Sequence, residues 1–128
     1  MKIMHLEEPW PHKVNFIDEN EVHLGFDGTD ECCAFGGWFL SEDKAARLEE
    51  TYAAKSMELP GWTFDPSYFQ ESCRASDSET EESSVQFRLV NGDKEMFLTL
   101  FNIQNGYYSR GFDLDVKSDP SKNREGKL

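Results

Sequence analysis

Cysteine is scarce in this sequence, basic residues are outnumbered, and no long apolar run is present. The three cysteines are an adjacent pair, Cys32 and Cys33, and a distant Cys73, so they define no disulfide framework. An odd count without an export signal points to reduced thiols and a cytoplasmic location. Lys2 and His5 lead only to Glu7, Glu8 and Pro9, without the apolar stretch of a signal peptide. No segment approaches the roughly 20 apolar residues of a membrane-spanning helix. Lysine and arginine number 13 against 25 aspartates and glutamates, giving a formal charge of −12. That balance repels phosphate backbones and anionic lipid, which argues against direct nucleic-acid and membrane binding. Basic proteins, cationic ligands and metal ions stay open as partners. Nearly all of the excess acid lies before residue 83.

What the sequence does have is aromatic surface. Ten phenylalanines, four tyrosines and three tryptophans supply large apolar area to a chain of 128 residues, enough for the core of one domain spanning 1–128. Their placement follows a period of two. Val14 and Phe16 alternate with polar neighbours, as do Val22, Leu24 and Phe26, around a short polar connection, which predicts a β-hairpin. Cys32 to Leu40 predicts a buried strand, bent at Gly36-Gly37. Ser41 with Glu42 and Asp43 fits a helix start, and Ala45, Leu48 and Tyr52 fall on one side of a predicted helix from Asp43 to about Ala54. The Ser- and acid-rich stretch Ser72–Ser84 predicts a mobile acidic loop. Val85–Val90, Glu95–Ile103 and the run to Val116 predict a three-strand meander with turns at Asn91-Gly92 and Asn105-Gly106. The middle strand is apolar on both alternations, so cover on both faces is expected. From about Ser118 the chain is a polar tail. The expected fold class is therefore α+β, a bent antiparallel sheet of about five or six strands with one main α-helix against it.

Two stretches carry a resemblance. Phe101-Asn102-Ile103-Gln104-Asn105-Gly106-Tyr107-Tyr108-Ser109-Arg110-Gly111-Phe112 resembles the C-terminal signature of an uncharacterised family of small bacterial and phage-associated domains. Asp30-Glu31-Cys32-Cys33-Ala34-Phe35-Gly36-Gly37-Trp38-Phe39 is similar to that family's vicinal-cysteine and Gly-Trp strand. The likeness spans about Trp10 to Val116 and carries no activity. Gln104 and Arg110 stand where the family pattern has histidines, so no imidazole chemistry transfers to them.

Three functions fit these residues. The first is a non-catalytic binding module for a basic protein or a small ligand. Its ligand-binding candidates are Asn102, Gln104, Asn105, Tyr107, Tyr108 and Arg110, with Arg110 to grip an anion, rings to stack and amides to orient. The acidic helix and the Ser72–Ser84 loop are its second surface, and a phage-style inhibitor mimicking nucleic-acid charge is one version. The second is a metal-dependent or thiol enzyme using Cys32, Cys33 and His23. Adjacent strand residues point to opposite faces, which works against two converging thiolates. The third is a structural or assembly component joined through a strand edge. No Ser/His/Asp order or glycine-rich phosphate loop is recognisable, so neither catalytic residues nor a cofactor is assigned.

Overall fold

In a computed structural model the chain is described over residues 1–6, 13–27, 34–44, 57–75, 81–104 and 110–128. Among the described residues ten strands form: β1 (Lys2–Leu6), β2 (Lys13–Ile17), β3 (Val22–Asp27), β4 (Ala34–Ser41), β5 (Met57–Glu58), β6 (Thr63–Ala75), β7 (Glu81–Asn91), β8 (Lys94–Gln104), β9 (Gly111–Val116) and β10 (Arg124–Lys127). They build two antiparallel sheets. Sheet A has the order β10-β9-β3-β2-β1-β5, and sheet B the order β4-β8-β7-β6.

The expected α+β class is thereby corrected. Strands account for 74 % of the described residues and helical turns for 3 %. Among the described residues the one helical element is a 3₁₀ turn at Pro120–Lys122. Of the expected helix only Asp43 and Lys44 are described, as a bend and a turn, and positions 45–54 lie outside the described residues. The expected single sheet is two sheets because the alternating segments of each present an apolar face, and the two faces bury each other.

Those faces meet in one cluster. Sheet A contributes Ile3, Val14, Phe16, Val22, Leu24, Phe26, Phe112, Leu114 and Val116; sheet B contributes Trp38, Phe64, Val85, Phe87, Leu89, Leu98 and Leu100. The predicted β2–β3 hairpin forms with Val14 opposite Phe26 and Phe16 opposite Leu24. β8 lies between β4 and β7, and its residues from Phe97 to Asn102 are all buried, so both faces are covered as their double alternation requires. At one side of the cluster Phe69, Phe87 and Phe112 pack ring on ring, with the Arg124 guanidinium 5.6 Å from the Phe69 centroid.

Three further expectations change. The meander splits: β7 and β8 pair, but β9 crosses to sheet A and lies between β3 and β10. The stretch from Ser72 to Ser84 is not a loop at its described ends. Ser72 pairs with Ser84, Cys73 with Ser83, Arg74 with Glu82 and Ala75 with Glu81, while positions 76–80 lie outside the described residues. Polar composition is no obstacle there, since Ser72 and Cys73 lie on an edge strand open to water. The polar tail is likewise ordered, with β10 paired to β9 and Leu128 buried.

An ionic ladder crosses sheet B on its other face. Arg88 in β7 reaches Asp65 in β6 at 2.9 Å and Glu95 in β8 at 2.7 Å. Asp65 also accepts from the backbone and hydroxyl of Ser67. The Ser67 hydroxyl, helped by the Arg88 guanidinium and opposed by partial burial, holds the Asp65 carboxyl below the ordinary carboxylate range. A depressed folded value stabilises the ionised fold above the unfolded value of about 3.9, and that stability is lost as pH falls below it. Asp65→Asn is therefore expected to unfold at lower urea than the native chain at neutral pH. The gap closes as acid protonates Asp65, which paired urea melts across the acid range will show.

Candidate functional site

Of the residues singled out from the sequence, the side chains of Asn102, Arg110 and His23 are described. Asn102 and Arg110 are brought together, but in the interior. Arg110 is 3 % exposed and Asn102 fully buried. Arg110 Nε donates to Asn102 Oδ1 at 2.9 Å, and Asn102 Nδ2 donates to the Leu128 carbonyl at 3.1 Å. Arg110 and Leu128 also exchange both backbone bonds, at 3.0 and 2.8 Å. The guanidinium stem lies on the bare backbone of Gly36, where a Cβ would come within 2.3 Å of Arg110 Nε. Arg110 falls in phase with Phe112, Leu114 and Val116, and Asn102 in phase with Leu98 and Leu100, so both point between the sheets. Between the sheets these two join β9 to β8 and β4. The Gln104 side chain and Asn105, Tyr107 and Tyr108 lie outside the described residues, as do Cys32 and Cys33.

His23 takes a different position. It is exposed on the outer face of sheet A, opposite Asp115 in β9 and Ile17 in β2. That face holds a shallow groove of about 350 Å³. Its floor is glycine: Gly25 in β3, opposite Asp113 and Asn15, and Gly111 at the start of β9. With no side chain at either position the backbone itself forms the bottom. Asp113 and Asp115 on β9 and Asp27 at the end of β3 form its acidic sides, with Lys13 and Asn15 on β2 across from them. Alternate residues of one strand lie about 7 Å apart, so the two β9 carboxylates repeat at the spacing of alternate side chains on an extended peptide. Sequence reading missed this groove. Asp113 and Asp115 were visible as the polar alternation of β9, but their nearness to β3 depends on the crossing that the meander reading did not foresee.

Among the described residues no three His, Cys, Asp or Glu side chains gather as a metal-binding group, and no helix is long and apolar enough to cross a membrane. Among the described residues Asp18 is the buried carboxylate, and its work is structural. Oδ1 accepts from Asn20 N and Val22 N, each at 2.9 Å, and Oδ2 from Phe64 N at 2.8 Å. It closes the β2–β3 turn, where Glu21 has a positive φ of 61°, and ties that turn to the start of β6.

The fold and groove define a small antiparallel β protein of two packed sheets with a polar groove on the outer face of one. Set beside family models, curated proteins and solved structures, the chain matches none.

Proposed function

We propose that the chain is a non-catalytic binding module, and that the outer face of sheet A receives cationic side chains of a basic partner protein. One observation carries this reading: a glycine-floored groove on the six-stranded sheet, edged by Asp113, Asp115 and Asp27. The overall charge of −12 favours the encounter by long-range attraction. The aspartates stand on neighbouring strands rather than on loops, so their spacing is fixed before a partner arrives, which lowers the ordering cost of binding. Ser72–Ala75 and Glu81–Ser84, read from the sequence as part of an acidic loop, are paired strand.

A Lys/Arg-rich peptide and a Gly/Ser peptide of equal length, titrated calorimetrically, test the reading. Binding of the basic peptide alone is expected, weakening as salt rises from about 50 to 300 mM. Asp113→Asn with Asp115→Asn should lower the affinity roughly two- to thirtyfold, from about 0.2–1 kcal/mol per exposed ion pair. Equal affinity for the double variant, or indifference to salt, would refute it.

A further inference from the structure

The bond between Trp38 and His5 links the two sheets and depends on protonation. Trp38 Nε1–H, in β4, donates to His5 Nε2, in β1, at 3.1 Å, and the two rings lie 5.8 Å apart at 33°. An indole N–H can only donate. His5 Nε2 must therefore offer its lone pair, which fixes a neutral imidazole with its proton on Nδ1. Trp38 is 2 % exposed, and its ring meets Phe16 of β2 edge-on at 5.3 Å. One tryptophan of sheet B is thus held by β1 through a hydrogen bond and by β2 through packing. His5 itself is only half-buried, so its ring stays within reach of solvent protons.

We infer that His5 is a pH-responsive latch between the sheets, closed when the imidazole is neutral and released when it gains a proton. An imidazolium has a donor on each nitrogen, so Nε2–H would oppose Nε1–H and the bond would be replaced by a donor–donor contact. The groups facing His5 from its own and the adjoining elements are Ile3 on β1, Val14 and Phe16 on β2, and Trp38 on β4. Among the described residues none of these titrates or carries charge, and Lys2 and Lys13 stand on the opposite alternation of their strands. The released state frees the sheet-B edge at β4 from β1 while the hydrophobic cluster stays in place.

Nuclear magnetic resonance of the whole chain tests this, following the Trp38 indole N–H from neutral to mildly acidic pH. The resonance should move in one step as His5 takes up a proton. Its hydrogen exchange, corrected for intrinsic pH dependence, should quicken roughly five- to tenfold as one hydrogen bond is lost. His5→Gln keeps an acceptor oxygen that does not titrate, and the step should vanish. A step that persists in His5→Gln, or a flat response in the native chain, would overturn the inference. If His5→Gln does not fold, the ring nitrogen shifts of native His5 at neutral pH decide. An unprotonated Nε2 supports the latch, and a protonated Nε2 removes it.

Discussion

Asp18→Ala is expected to destabilise the fold by about 3–5 kcal/mol, the upper range for a single substitution. The carboxylate satisfies three backbone N–H groups, and two of those bonds, to Val22 and Phe64, are buried. Alanine leaves those donors without an acceptor, at about 1–3 kcal/mol for each buried orphan. It also removes a side chain that ties the β2–β3 turn to the start of β6. Asp18→Asn should fall between the two: its amide oxygen can replace one carboxylate oxygen, but its NH₂ then faces a backbone donor. Urea unfolding of the three proteins checks the order, and a loss under about 1 kcal/mol for alanine would contradict this account.

Gly36→Ala should cost about 2–4 kcal/mol, although it adds only a methyl group. The added carbon would lie 2.3 Å from Arg110 Nε, 2.7 Å from Cδ and 2.9 Å from Cζ. Arg110 is buried and bonded to Asn102, so its stem has nowhere to retreat without breaking that bond. The penalty is therefore shared between overpacking and a lost buried hydrogen bond. A double-mutant cycle separates this from a backbone effect. In an Arg110→Ala background the same glycine substitution should cost at least about 1 kcal/mol less. Equal penalties in both backgrounds would place the cause elsewhere.

These two positions also mark how far the sequence could be read. Alternation identified the β2–β3 hairpin, the doubly covered β8 and the apolar face of β9, because burial of one face imposes a period of two directly on the residues. Alternation does not name a strand's neighbour. The third strand of the expected meander therefore went to the wrong sheet, and the groove formed by β3 and β9 went unseen. Composition misled at Ser72–Ser84, where Ser and Glu suit a ribbon edge as well as a loop. Arg110 was legible in principle, since it shares the alternation of Phe112, Leu114 and Val116 and so belongs to the inner face. Its charge drew the functional reading, while the accommodating feature, Gly36, lies far away in sequence. Asp18 offered only a polar residue at a hairpin turn, and its third bond, to Phe64, spans 46 positions.

The passage of β9 from one sheet to the other also shapes how the chain acquires its structure. In sheet A, Val22 pairs with Val116 and Phe26 with Phe112, so the centre of that sheet joins its early and late thirds. The β2–β3 hairpin can close on neighbouring residues, yet its outer strand has no partner until the last third has been synthesised and swung back. Long-range pairing of this kind demands a large entropic outlay before any contact repays it, the signature of slow-folding β topologies. Until then one hydrogen-bonding edge of β3 stands unpaired on a nascent polypeptide, and the aspartates of β9 cannot meet the glycine floor they complete.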